Sequence, residues 1–459
     1  MKRYSAIIML AVILLSSVLS VSCSSPNIDD IITRSEYGSF DYSLKPYFSV
    51  GQMAFAVYQN NAYTINSGGE IIYLSLCDLE KDLRTYRRGS PDEYLGLEVN
   101  YVCPVKEHDH GNLLSDTDCP AYINLGTGFL IDAHESNGSY PIIYYIYNNL
   151  SMADFEANPW ERSQPFILYR YDTGDNTRKV VAEFSAFPRQ MMAYGDNIYI
   201  VMQKGAESFE LCEIDKGSGV IHTLDAGNGS IELISADESN IYFNNRLEGA
   251  LYKADKELEN YQTVFKMPET IATEELESDN RLGIYVNDGF IYYRADYGTK
   301  PMQVSETQVF EYLKYNIRRV PLSDPSADSE IVARDVFRMC EFGFAGNKLY
   351  YTPADFGEKE KNYYYNFNNG RLCAVDLTTL ECVDIASDSG LMFDYGFGVT
   401  LTDRYIMTYI RPVKSGKYDY SRSDELTYSP GVLYDFETGA LYPVFAEGIA
   451  TVTPKPEKE

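Results

Sequence analysis

Residues 189–224 read RQMMAYGDNIYIVMQKGAESFELCEIDKGSGVIHTL. Two apolar runs, near Met191–Tyr194 and Ile198–Met202, flank the turn pair Gly195-Asp196. A third run, Glu210–Ile214, is parted from a fourth, Val220–Leu224, by Lys216-Gly217-Ser218-Gly219. Aromatic and aliphatic residues alternating with polar ones, bounded by Gly, Asn and Asp, are strand and hairpin signals. The stretch predicts four short antiparallel strands, A to D, joined by tight turns at A–B and C–D.

The C strand recurs along the chain as an apolar residue, a Tyr or Cys, two variable positions and an acid. Clear instances are Leu168–Asp172, Leu211–Asp215, Leu251–Asp255, Leu372–Asp376 and Leu433–Glu437. Leu76-Cys77-Asp78-Leu79-Glu80 fits as well, and Ile317–Val320 is a degraded copy in which Pro321 displaces the acid. A turn residue and an aromatic B strand precede each copy, as in Asn240-Ile241-Tyr242-Phe243 and Gly289-Phe290-Ile291-Tyr292-Tyr293. A four-stranded sheet of this size cannot bury both of its faces alone. Sheets stacked radially bury them against each other, which is a β-propeller. The expectation is an all-β chain whose residues 46–449 form seven four-stranded blades. No stretch sustains a helical period, so a helical solenoid is excluded.

The combination of Asn or Gly before Ile-Tyr-Tyr with a following Leu-Tyr-x-apolar-Asp strand resembles a bacterial exported β-propeller lipoprotein family of unknown function. That family is itself likened to the propeller of low-density-lipoprotein-receptor-related proteins. The resemblance covers roughly Ala54 to Phe445 and implies a fold, with no activity to carry over. The receptor signature Tyr-Trp-Thr-Asp is absent, since the single Trp is Trp160.

The N-terminus reads as an address. Met1-Lys2-Arg3 is basic, and Ala6 to Val21 is an apolar run without charge. It is shorter than the roughly 20 residues that span a bilayer and fits a signal peptide over 1–22. The run ends Leu19-Ser20-Val21-Ser22-Cys23, which looks like a lipobox with Leu19 one position early. The expectation is a chain lipidated at Cys23, tethered through residues 23–45 and anchored to the outer face of a bacterial cell membrane. Residues 450–459 read as a polar tail. Seven further cysteines are scattered, with no C-x-x-C pair that would suggest zinc. Cys77, Cys212 and Cys373 occupy the Tyr position of the repeat and read as packing. Cys103 and Cys119 bracket one insertion and are a candidate disulfide.

In a propeller the A–B and C–D turns share one end of the barrel, and the B–C and D–A loops share the other. Long B–C stretches fall near Asn148–Gln164, Asp296–Gln308, Pro353–Asn369 and Arg411–Pro430, and the segment 89–127 reads as a long D–A insertion. All of these belong to one end. Loops longer than about 12–15 residues are uncommon unless functional or disordered. The loops hold Tyr363, Tyr364 and Tyr365, and Tyr418 and Tyr420, among Asn, Lys and Ser. Such a mixture suits adaptable binding surfaces, and it equally suits loops packed onto their own blades.

Composition narrows the function classes. Asp plus Glu is 67 against 39 Lys plus Arg, a net charge of −28 over 459 residues, which argues against a nucleic-acid partner. His108, His110 and His134 with neighbouring carboxylates form a weak candidate metal site. No Gly-x-Ser-x-Gly elbow, P-loop or EF-hand loop is present, and no cofactor is implied. Two readings follow. One is a surface-tethered binding or scaffold module for an extracellular protein, peptide or glycan. The other is an extracellular polysaccharide lyase or hydrolase. The address is tested by mass spectrometry of the N-terminal peptide of the exported chain. It is expected to begin at a lipid-modified Cys23, and an unmodified Cys23 or a different start would remove the anchor.

Overall fold

The computed structural model describes residues 55–59, 61–65, 70–75, 100–105, 119–123, 129–148, 165–205, 208–229, 231–245, 247–268, 284–303, 309–337, 342–345, 347–351, 353, 373–384, 391–394, 400–402, 405–414, 417–418, 431–435 and 441–444. It also describes short strands at 32–33 and 47–49. Cys23, the signal and tail stretches, and Cys77 lie outside the described residues.

Two short strands, β1 (Ile32–Thr33) and β2 (Tyr47–Ser49), come first, the former within the stretch read as a tether. Blade one is β3 (Phe55–Tyr58), β4 (Asn61–Ile65), β5 (Ile71–Ser75) and β6 (Asn100–Tyr101). Blade two is β7 (Phe129–Asn137), β8 (Tyr140–Asn148), β9 (Phe166–Asp172) and β10 (Thr177–Phe184). Blade three is β11 (Phe187–Tyr194), β12 (Asn197–Gln203), β13 (Ser208–Asp215) and β14 (Ile221–Asn228). Blade four is β15 (Ile231–Ala236), β16 (Asn240–Asn245), β17 (Ala250–Asp255) and β18 (Tyr261–Lys266). Blade five is β19 (Ile284–Asn287), β20 (Phe290–Gln303), β21 (Val309–Pro321) and β22 (Glu330–Phe337). Blade six is β23 (Gly343–Ala345), β24 (Lys348–Tyr351), β25 (Cys373–Asp376) and β26 (Cys382–Asp384). Within each blade the strands pair in sequence order, antiparallel throughout.

The chain is thus an all-β propeller, with six four-stranded blades among the described residues, not the seven expected. The C-terminal repeat copy lies in a sheet of a different plan. That sheet has seven strands: β27 (Leu391–Asp394), β28 (Thr400–Thr402), β29 (Tyr405–Lys414), β30 (Lys417–Tyr418), β31 (Gly431–Asp435), β32 (Leu441–Val444) and, in parallel, β1. Its inner position is split between β27 and β28, which both pair with β29.

Why the blades stack is visible in β12. Ile198, Ile200 and Met202 pack toward blade two, and Tyr199 and Val201 pack toward blade four. The period-two alternation feeds both faces of one strand into two different cores. Five such clusters join the six blades in order, and fully burying one large aliphatic side chain in them stabilises by about 1.5–3 kcal/mol. Cys212 and Cys373 are buried in these clusters, as the repeat pattern predicts. Cys103 and Cys119 are buried together between blades one and two as thiols, not as a disulfide. Burial first, and then the neighbouring Cys103, push the Cys119 thiol up to about 12.

Two readings of the repeat change. Asn61 pairs with Ser75, the place where Asn197 meets Asp215. The C strand of blade one is therefore Ile71–Ser75, and the copy at Leu76–Glu80 lies just beyond it, outside the described residues. The interval from 76 to 99 consequently joins C to D, and the D–A link begins only after Tyr101, not at 89. Within that link Cys119–Ile123 is a buried wedge: Ile71 donates its N–H to Ala121 O and Tyr145 donates its hydroxyl to Pro120 O.

The acid of the repeat has a local job. Asp172 accepts from the Gly174 N–H, Asp215 from Ser218 N–H and hydroxyl, Asp255 from the Glu259 N–H, and Asp376 from the Thr378 and Thr379 N–H groups. Each carboxylate closes its own C–D turn as an Asx-type cap. In blade three the turn needs Gly219 at φ +71°, because a Cβ there would stand 2.2 Å from Val181 O of blade two. The Ser218 bonds hold the Asp215 carboxyl below its usual range, and the Thr379 and Thr378 N–H groups do the same for Asp376. A depressed folded pKa gives stability that is present above the unfolded value, near 3.9, and is lost as pH falls through the folded value. Melting temperature should therefore fall as pH drops below about 4. Asp215→Asn with Asp376→Asn, which keeps an acceptor and discards the charge, should flatten that fall; an unchanged slope would show that these caps do not couple to pH.

Candidate functional site

The two ends of the propeller differ. At the tight-turn end, Lys216 of the blade-three C–D turn reaches across to blade two. Its ammonium pairs with Asp132, donates to Gly195 O and lies 5.7 Å from the Tyr144 ring centroid. Lys216 and Asp132 are 6% and 0% exposed. Asp132 also accepts from the His134 and Glu135 N–H groups, and Glu135 receives the Tyr144 hydroxyl at 2.7 Å and Arg170 Nε at 2.8 Å. Burial, reinforced by Glu135, raises the Tyr144 phenol well above its usual range. The cluster is internally paired and fastens two blades.

The long-loop end carries a different set. Here β12 ends in buried Gln203 and β16 in buried Asn244 and Asn245, and β20 carries buried Arg294 within its length. Asn244 donates to Glu232 at 3.3 Å and to Ile284 O of blade five at 3.4 Å, and its Oδ1 is buried with no partner. Gln190 of blade three donates to Leu233 O and accepts from Leu233 N–H at 3.0 and 2.7 Å. Arg294 lies over the Tyr315 ring, 4.8 Å from its centroid. These amides and the guanidinium are buried beneath the surface of this end, where Gln190 and Asn244 tie neighbouring blades together.

Blade five extends this end. Of the stretch Asp296–Gln308, read as a loop, the described part, Asp296–Gln303, belongs to β20. Gly298–Gln303 and Val309–Lys314 form a two-stranded ribbon that runs past β19. Its base is pinned where Asp296, at φ +53°, accepts from Arg318 Nε at 2.8 Å and Asn316 Nδ2 at 3.0 Å. Burial works against the Asp296 charge, and the Arg318 and Asn316 bonds outweigh it, holding its carboxyl below the usual range. Lys314 pairs with Asp335 across the same base. The C-terminal sheet adds a second projection at this end, with Val413 opposite Tyr418 and Lys414 opposite Lys417.

Of the residues singled out in the sequence, Tyr418 falls on that projection, in β30. Tyr363, Tyr364, Tyr365, Tyr420, His108 and His110 lie outside the described residues. His134 is exposed in β7, beside the β7–β8 turn, and so stands at the tight-turn end rather than among the long loops. No group of three His, Cys, Asp or Glu positioned to hold a metal occurs among the described residues. The buried polar ends of the B strands were missed from sequence. Their signal is the polar closure of an otherwise apolar run, as in Ile241-Tyr242-Phe243-Asn244-Asn245.

No family model matches the chain, and no curated protein matches it. Solved structures similar to it are propeller proteins. The β-propeller domain of the Trilobed protease from Pyrococcus furiosus overlaps 68% of this chain and 83% of its own at 12% identity, TM-score 0.39. Oligogalacturonate lyase in complex with manganese overlaps 78% and 93% at 10% identity, TM-score 0.37. Puromycin hydrolase overlaps 90% of this chain and 57% of its own at 10% identity, TM-score 0.44. With TM-scores this low, the fold rests on the strand pairing of the chain itself.

The Lys216–Asp132 fastening makes a quantitative prediction. Lys216→Met leaves a buried carboxylate unpaired, which costs about 3–5 kcal/mol. Adding Asp132→Asn keeps the acceptor for the two backbone N–H groups and removes the charge, so the double variant should be more stable than Lys216→Met alone in urea denaturation. A double variant as unstable as the sum of the singles would show that the pair is not coupled.

Proposed function

We propose that the chain is a binding or scaffold module exposed on the bacterial cell surface, lipid-anchored through Cys23, which takes an extracellular protein, peptide or glycan on its long-loop end. The observation that carries this reading is the asymmetry of the two ends. The A–B connections are tight turns, whereas the blade-five ribbon and the β29–β30 hairpin both extend beyond their sheets at the opposite end. Paired strands projecting in one direction give rigid surface, and rigid presentation lowers the ordering cost of binding. Beneath that end the buried amide bridges of Gln190 and Asn244 hold neighbouring blades together and support the surface above them. The net charge of −28 favours a neutral or cationic ligand over a nucleic acid.

The alternative, an extracellular lyase or hydrolase acting on polysaccharide, needs imidazoles gathered over the axis at the long-loop end. His134 stands at the other end, so no observation favours that reading over binding.

A glycan and peptide array probed with the soluble chain identifies the ligand class. Against the best hit, Tyr364→Ala with Tyr420→Ala should weaken binding at least tenfold while leaving the melting temperature unchanged, since an aromatic hot spot contributes on the order of 2 kcal/mol. Unchanged affinity, or a ligand mapped to the tight-turn end, would mean that these tyrosines only hold their own loops.

A further inference from the structure

The inner edge of each blade is its A strand. One side of that strand pairs with the B strand, and the other side turns its N–H and C=O groups toward the axis. An open edge of this kind is a template for another strand. The A strands β3, β7, β11 and β15 lie side by side around the axis, β15 lies against β19, and β28 lies against both β23 and β3.

Three of these inner edges are already occupied, each by a peptide group or its likeness. On β11, Gln190, Met191 and Met192 pair antiparallel with Ser49, Phe48 and Tyr47 of β2. On β28, Leu401 and Thr402 pair in parallel with Ile32 and Thr33 of β1. On β15, Leu233 gives both its N–H and its C=O to the side-chain amide of Gln190, which is 2% exposed and acts as a one-residue strand. β1 also lies against β3 and β23, and β2 against β7, all of them inner strands. The two short strands therefore sit inside the ring. Their directions are opposite: β1 runs with β28 toward the tight-turn end, and β2 runs against β11 toward the long-loop end.

We propose that the axial channel is a recognition site for extended polypeptide backbone, and that β1 and β2 are its intramolecular occupants, competing for the β11 and β28 edges with an extended segment of another polypeptide. Recognition of this mode is β-strand addition, in which main-chain hydrogen bonds give affinity whatever the side chains. The chemistry of the wall fits it: the β11 and β28 edges pair with peptide groups, and the Gln190 side chain does the same on β15. Strand addition in the channel does not depend on a ligand at the outer loops. It needs neither the lipid at Cys23 nor Tyr364 and Tyr420.

The test begins on the full chain without substitution. Hydrogen exchange at the Tyr47, Phe48 and Ser49 amides should be slowed overall at least a hundredfold against an unstructured peptide; free exchange across all three overturns the proposal. Next, Phe48→Pro removes a backbone N–H and strains the β2 ladder. A fluorescent peptide with the sequence of residues 45–51 is then titrated into both proteins. The expected result is binding to the variant at least tenfold tighter than to the wild type. Equal affinity, or no binding to either protein, overturns the proposal. Should the variant fail to fold, the exchange measurement on the unsubstituted chain decides.

Discussion

Everything in this molecule depends on sheets that are apolar on both faces. A blade whose B strand reads Ile198-Tyr199-Ile200-Val201-Met202 has no face to offer water, so it is stable only between two neighbours. The neighbours are under the same constraint, and the solution propagates from blade one to blade six through five shared cores. Tyrosine suits the role because it fills the gap between twisted sheets and still carries a hydroxyl that finds a partner at the rim. Tyr145 to Pro120 O, Tyr144 to Glu135 and Tyr242 to Asp237 are examples.

Polar groups then divide the work between the two ends. At the tight-turn end they are closed networks: the Asx caps of the C–D turns and the Lys216–Asp132 link between blades. Arg319 of blade five, donating to Leu377 O of blade six, belongs to the same class. At the long-loop end the buried amides bridge blades while leaving capacity over, as with Asn244 Oδ1.

The sequence made the blades legible because the two signals that define them are local. Alternation marked the four strands of 189–224 to within a few residues, and the Asp at the end of strand C marked the turn it caps. Where the local signal was duplicated, reading failed. Leu76-Cys77-Asp78-Leu79-Glu80 copies the motif, but the register that matters is Asn61 with Ser75, and Ser75 carries no acid to announce it. That single displacement assigned part of the C–D connection of blade one to the D–A link. The blade count failed for a related reason. The last copy, Leu433–Glu437, has the strand signature, yet its sheet takes β1 in parallel and two inner strands on β29. Partners far apart in sequence leave no periodic trace. The same holds for the amide bridges of Gln190 and Asn244, whose partners are 43 and 40 residues away.

The central claim is that the blades form one ring sharing cores between neighbours rather than a string of independent sheets. Native-state hydrogen exchange across the B strands β8, β12, β16, β20 and β24 tests it most directly. The account predicts that the slowest amides of all five strands open with a common free energy and shift together on adding denaturant. Blades two to four opening at a different free energy from blades five and six would contradict it.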